Sequence, residues 1–309
     1  MDLISFIKQT EGLENSINFA INHGLIPDKT PKKCLKCGLE GSLRWTKNSR
    51  TVNIPFMYVC SQRNCRSTIS VSRNTLFDHL TFSLSQALRL IYFWLLKIPV
   101  QETACQLELA EGLVNVWFQF FREVCAFVII NYTKAIGGPG HIVDICEHQL
   151  LTKEEFYDVW LFAGVDRNTG QNFVIHVEDL DCETLLPVLK NYLLPGTVVV
   201  TEKCKEFTSN ESNGSLTFVH PNKYPRSDED YHLDGMWDAL SKYIASEVPN
   251  NGKTCKELFA YQFLYFHRDG FFNKPVSQLI SVFFDDVKHV YPGFSKSDNV
   301  QFKTRKIKV

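Results

Sequence analysis

Four cysteines, placed as Cys34-x2-Cys37 and Cys60-x4-Cys65 with 22 residues between the pairs, constrain this chain more than any other feature. Each short spacing lets one tight turn present two thiolates. Two such turns facing each other make a tetrahedral site of soft ligands, the kind that holds a structural Zn²⁺. The other six cysteines (Cys105, Cys125, Cys146, Cys182, Cys204 and Cys255) show no such pairing and stand in apolar contexts, as small core residues do. The opening MDLISFIKQTEGLENS lacks the basic start and unbroken apolar core of a signal peptide. An intracellular, reducing setting is expected, where clustered cysteines bind metal rather than each other. No run reaches the roughly 18 uninterrupted apolar residues of a membrane span, so no membrane is expected.

Charge is segregated along the chain. The overall formal charge is -1, which by itself speaks against a surface built wholly for nucleic acid. Between Asp28 and Arg73, however, ten basic residues face two acids, a local net of +8. Lys32, Lys33, Lys36, Arg44, Lys47, Arg50, Arg63, Arg66 and Arg73 are the candidates for contact with a phosphate backbone, with Trp45 and Tyr58 available to pack or stack. A second basic cluster (Lys303, Arg305, Lys306, Lys308) closes the chain.

With 44% hydrophobic and 22% charged residues the chain is globular, and 309 residues suffice for one large domain or two modest ones. The organisation expected is an N-terminal helix over 1–30, with Leu3, Phe6, Ile7 and Leu13 on one side, then a zinc ribbon over 31–75. A helical segment over 76–136, an α/β domain over 141–295 and a basic tail over 296–309 follow. SLSQALRLIYFWLLK, PVQETACQLELA and GLVNVWFQFFREVCAFVIINYTK have helical periodicity, and Pro99 suits a helix start. The last two, joined by a turn at Glu111-Gly112, have the length of a helix-turn-helix, although the second is loaded with aromatics and poor in basic residues. After the break at Gly137-Gly-Pro-Gly140 the pattern turns to strands: HIVDICEH, a hairpin of VWLFAGVD and QNFVIHVED, a helix CETLLPVLKNYLL, a buried strand GTVVVTEKC, a polar loop, TFVHP, and helices from about Gly235 to Val290. That order suits an α/β fold with one mixed sheet.

The zinc ribbon together with SVSRNTLF, SLSQALRLIYFWL, PVQETACQLE, VNVWFQFFREVC, VWLFAGVDRNTGQNFVIHVEDLDCETLLPVLKNYLLPGTVVVTEKCKEF, HLDGMWDALSKY and KELFAYQFLYFHRDG resembles Merlin-type transposases and their bacterial insertion-sequence (ISXO2-like) relatives, in order and over nearly the whole chain. The resemblance implies an RNase H-like mixed sheet with flanking helices and DDE chemistry, in which three carboxylates hold two Mg²⁺ or Mn²⁺ ions for strand cleavage and transfer. It also implies a nuclear setting and DNA as partner. At the three acid positions of the family this chain carries Cys146, Glu202 and Trp237, the last from a register that aligns His232 with the family histidine. Cysteine is a poor match for hard Mg²⁺, and tryptophan cannot bind it. The stretch EHQLLTKEEFYDVW is acidic where the family has basic residues after its first acid.

Three readings follow. The leading one is a transposase-derived (domesticated) nuclear protein that keeps a structural zinc and an RNase H-like scaffold, binds DNA and lacks nuclease activity. The second is an active nuclease with a displaced triad of Asp144, Glu202 and Asp234, Asp144 sharing a strand face with Cys146; only this reading requires Mg²⁺ or Mn²⁺. Against it, a shift of about 1 Å at such a site can lower the rate on the order of 100-fold. The third is a protein-interaction module whose basic finger contacts another protein. A homo-oligomer is compatible with all three.

Overall fold

The computed structural model describes residues 2–48, 53–78, 80–150, 159–210, 214–227, 233–248, 255–268 and 274–293. In chain order these form α1 (Leu3–Gln9), α2 (Gly12–Asn22), β1 (Leu43–Lys47), β2 (Phe56–Cys60), β3 (Thr68–Ser70), α3 (Leu84–Leu95), α4 (Val100–Leu107), α5 (Glu111–Tyr132), β4 (Ile136–Gly137), β5 (Ile142–Leu150), β6 (Val159–Asp166), β7 (Asn172–Val177), α6 (Cys182–Tyr192), β8 (Leu193–Leu194), β9 (Val198–Val200), α7 (Cys204–Asn210), β10 (Thr217–Val219), α8 (Asp234–Glu247), α9 (Lys256–His267) and α10 (Val276–Val290). The protein is a mixed α/β fold of two compact units, residues 1–124 with 270–303, and residues 125–269 with 304–309. Arg50, His232 and the whole 296–309 tail, with Lys303, Arg305, Lys306 and Lys308, lie outside the described residues.

In the first unit β1, β2 and β3 form an antiparallel sheet in that order. The single N-terminal helix expected from the sequence is two helices: Thr10 folds its hydroxyl back onto the Phe6 carbonyl (2.8 Å) and Gly12 takes φ +73°, a left-handed value that suits glycine. The break sends Phe6 into the core and leaves Leu13 40% exposed, so the two do not share one buried side. Ser83 and Gln86 close a reciprocal capping box at the start of α3, fixing where that apolar helix begins. An aromatic cluster follows, in which Trp94 packs on Phe121 (5.4 Å between ring centres) and on Phe283 of α10 (5.0 Å). Thus α10, expected from the sequence to belong with 141–295, packs among the helices of the first unit.

Among the described residues α5 is long and apolar enough to cross a membrane by length and composition, and half of its most apolar stretch is buried inside the protein. Its turn from α4 falls at Glu108, which takes a left-handed conformation, so Glu111 and Gly112 already belong to the helix.

The second unit is built on a five-stranded sheet in the order β10-β9-β5-β6-β7. β5, β6 and β7 run antiparallel in sequence, whereas β9 and β10 join the other side of β5 in parallel. Val143, Phe162, Phe173, Ile175 and Val199 pack with Leu185, Leu186 and Leu189 of α6 on one face. The Gly137–Gly140 segment carries β4, which pairs with β8 inside this unit. The polar loop expected after β9 contains α7, whose Phe207 is fully buried and stacks on Phe218 (5.0 Å). One buried aromatic is too little periodicity to announce a helix.

Gly164 of β6 lies opposite Phe173 of β7, and the phenylalanine ring occupies the space a Cβ would need. Gly164→Ala is expected to push the ring off its rotamer and destabilise the protein by about 1–3 kcal/mol. Denaturant unfolding measures this, and Phe173→Leu in the same background should recover part of the loss.

Candidate metal centre and the cleft beside the central strand

Two backbone knuckles create the cysteine cluster. At the first, the Gly38 N–H donates to the Cys34 carbonyl (2.8 Å) and the Cys34 N–H to the Leu39 carbonyl (3.1 Å), with Gly38 at φ +72°. At the second, the N–H groups of Cys65 and Arg66 both donate to the Gln62 carbonyl (3.0 and 3.1 Å), and the Cys60 N–H donates to the Ser67 carbonyl (2.8 Å). The pairing of Leu43 with Cys60 across β1 and β2 brings the knuckles together. All four sulfurs lie within 4.8 Å of one another, with Cys34 to Cys65 at 3.7 Å and Cys37 to Cys60 at 3.8 Å. A tetrahedron of about 2.3 Å metal–sulfur bonds has sulfur–sulfur edges of about 3.8 Å.

The electrostatics are uneven across the quartet. Burial resists ionisation of Cys34, but the Ser67 hydroxyl (3.1 Å from its sulfur) and the N–H groups of Cys37 and Lys36 outweigh it and bring the thiol down to about 6. At Cys37 the Leu39 N–H favours the thiolate, yet burial and the three neighbouring sulfurs prevail and push it up to about 11. Thiolates crowd each other unless a cation sits among them, so Cys34, Cys37, Cys60 and Cys65 could hold a metal ion such as zinc.

Of the basic candidates, Lys32 is tied to Asp28 (2.6 Å) and Lys33 to Glu40 (3.1 Å). Lys36, Arg44, Lys47, Arg63, Arg66 and Arg73 are exposed, and none has an ion-pair partner among the described residues. Trp45 and Tyr58 pack rather than wait for a base. The Trp45 ring lies against Phe56 (5.2 Å) and meets Tyr58 edge-on (5.6 Å), while Tyr58 is fully buried with its hydroxyl donating to the Asp28 carbonyl. Trp117, Phe118 and Phe121 of α5 are likewise buried, Trp117 against Phe82 (5.3 Å), whereas Phe120 is 38% exposed, so three of the four aromatics at this end of the second helix face inward.

In the second unit Asp144, Cys146 and His148 alternate onto one face of β5. Trp237 of α8 meets that face. Its indole N–H donates to the Cys146 sulfur, and its ring stacks on His148 at 4.7 Å and 8°. Burial holds the Cys146 thiol above its ordinary value in spite of that hydrogen bond, and burial lowers the His148 pKa. Cys146 and Trp237 are therefore neighbours across this face of β5.

Glu202, just beyond β9, is exposed on the rim of a cleft of about 620 Å³ that Asp144, Cys146 and Arg226 also line. Asp144 is 2% exposed. Arg167 grips it with both Nε (2.7 Å) and Nη2 (2.8 Å), and Arg226 adds Nε at 3.1 Å. Arg167 also donates to the carbonyls of Tyr224 (3.0 Å) and Pro225 (3.2 Å). Asp234 is exposed at the start of α8, close enough for its charge to act on Cys146. Asp144, Glu202 and Asp234 do not converge: among the described residues the cysteine quartet is the one group of three or more such side chains whose ligand atoms come together. Neither arginine announces itself as a site residue in the sequence. Arg167 sits in the RNTG turn and Arg226 in an irregular segment, and neither belongs to a spaced motif.

Two outcomes test these assignments. Cys60→Ser should abolish tight binding of one metal ion per chain, measured by elemental analysis, and lower the melting temperature as chelator does to the wild type; unchanged metal content would sink the assignment. Asp144→Asn should destabilise the protein by about 3–5 kcal/mol in denaturant, because it leaves a buried guanidinium short of its counter-charge. A carboxylate poised among other acids to receive a metal would respond with the opposite sign, since its removal relieves repulsion.

No family model matches the chain, and no curated protein matches it. Among solved structures, a chain of the cryo-EM structure of the simian T-cell lymphotropic virus intasome in complex with PP2A regulatory subunit B56 gamma is similar over 44% of this chain at 14% identity, with a TM-score of 0.28. The match spans about half (51%) of that chain. Likeness at that level bears on neither fold nor function.

Proposed function

We propose that this is a transposase-derived, DNA-binding protein of the nucleus that has an RNase H-like second unit and lacks DDE nuclease activity. The observation that carries the reading is the state of Asp144. Its two oxygens accept three hydrogen bonds from two guanidinium groups, which supply the positive charge that divalent ions would supply at a catalytic carboxylate. A soft thiol and an indole stand at Cys146 and Trp237, leaving Glu202 as the one carboxylate among the three acid positions. A lone exposed carboxylate cannot organise two metal ions for in-line displacement. The RNase H-like assignment draws support from the central sheet, in which three antiparallel strands are followed by two that extend the first strand's free side in parallel.

The DNA contact is assigned to the cysteine-bearing sheet, where exposed cations outnumber acids and metal binding would hold Lys36, Arg63 and Arg66 on the knuckles. Duplex binding should weaken steeply with salt. Replacing Lys36, Arg63 and Arg66 together by glutamine should flatten the slope of log K against log salt by about 0.9 for every phosphate that is no longer neutralised. In the same preparations, supercoiled DNA with Mn²⁺ should stay uncut. Cleavage abolished by Glu202→Gln would overturn the non-nuclease reading. Absent or salt-insensitive DNA binding would favour the protein-interaction reading instead.

A further inference from the structure

The cleft beside β5 is not a closed scar. It has about 620 Å³ of space, within the range that takes a small organic ligand. Its charges are arranged in opposition. Around Asp144 two guanidiniums face one carboxylate, a local excess of one positive charge. Lys203 and Glu147 neutralise each other at 2.8 Å. Glu202 is exposed and has no ion-pair partner among the described residues, so the rim it occupies is negative. The lining of the cleft therefore carries both a surplus cation and an unpaired carboxylate.

Arg226 differs from Arg167 in one respect that matters. Arg167 is buried and is committed to Asp144 and two carbonyls, whereas the Arg226 side chain is 45% exposed. Asp144 holds Arg226 by Nε, and its two terminal nitrogens have no hydrogen-bond partner among the described residues. A guanidinium fixed at one edge with its outer fork open is shaped for a tetrahedral oxyanion. Two residues away Tyr224 leaves 39% of its surface in solvent, and Pro221 and Pro225 complete that wall. An exposed aromatic ring and an arginine lining one cleft are the pairing by which proteins hold an unpaired base and its phosphate.

We propose that this cleft binds a nucleoside phosphate, with the phosphate on Arg226, the base against Tyr224, and amino or hydroxyl donors of the base or sugar on Glu202. The mixed polarity of the cleft decides between candidates: a bare anion would be repelled by Glu202, and an apolar ligand would leave both charges unmatched. The source is a free nucleotide or the end of a single strand, which share this chemistry.

Titration calorimetry of the full-length protein with adenosine 5′-monophosphate, inorganic phosphate and 5′-phosphorylated tetrathymidylate tests it, without divalent metal. The expected result is one-to-one binding of the nucleotide, with inorganic phosphate at least about tenfold weaker because the ring and donor contacts are missing. Arg226→Gln and Tyr224→Ala should each weaken the nucleotide about tenfold. If Arg226→Gln lowers the melting temperature through Asp144, Tyr224→Ala decides, since Tyr224 meets Arg167 through its main-chain carbonyl, which alanine keeps. Tighter tetranucleotide binding assigns a strand end, and equal affinity assigns a free nucleotide. No nucleotide binding, phosphate binding as tight as nucleotide, or affinity unmoved in Tyr224→Ala would overturn the proposal. Duplex binding by the cysteine-bearing sheet is a separate readout, so either assignment can fail while the other stands.

Discussion

Asp144 is a negative charge held out of water near the middle of a five-stranded sheet, and the arrangement of the cleft follows from how that charge is satisfied. Desolvating a carboxylate costs several kcal/mol unless its lone pairs are met with good geometry. Here the bidentate grip of Arg167 meets that demand, and Arg167 then needs partners for its remaining donors. It finds them in the carbonyls of Tyr224 and Pro225, which fixes the irregular chain after β10 against the sheet. That contact brings Arg226 within reach of the same carboxylate. One buried charge thereby positions two arginines and the segment that carries Tyr224.

The two polar centres of the chain use opposite chemistry. In the cysteine cluster, four thiol groups converge, a geometry that calls for a soft metal ion. In the cleft, the converging groups are two guanidiniums and one carboxylate, so the protein itself supplies the positive charge that the carboxylate needs. Sulfur at 3.7–3.8 Å from sulfur and guanidinium at 2.7–2.8 Å from carboxylate are each close to the distances their chemistry prefers.

Legibility in the sequence tracks how local the cause is. VWLFAGVD reads as a strand and is one from Val159 to Asp166, because its apolar run and the RNTG turn after it are sufficient causes. The cysteine spacings are similarly self-contained, and the four sulfurs do come together. The aromatic helix α5 is legible as a helix, while the direction of its aromatic side is not, because that depends on Phe82 and Trp94 from other parts of the chain. Arg167 and Arg226 escape a sequence reading for the same reason. They reach Asp144 across 23 and 82 residues, and no spacing rule links an arginine in a turn to an aspartate on a strand. The placing of α10 with the first unit is likewise a matter of where Phe283 finds an aromatic partner, not of its own amphipathic pattern.

The side chains around the cleft are coupled rather than independent. A carboxylate at position 146 would stand on the same strand face as Asp144 and against the Trp237 ring, where a second charge would be both repelled and desolvated. The thiol at Cys146 avoids that by staying neutral, and burial raises its pKa in keeping with this. A neutral partner at 146 in turn allows an indole at 237, whose N–H finds the sulfur while its ring covers His148. With its charge buried beside neutral neighbours, Asp144 requires the arginines. Each of these side chains makes the others tolerable, so introducing one acid by itself at 146 or 237 would leave a charge facing an indole or a thiol, with the guanidinium clamp still closed on Asp144.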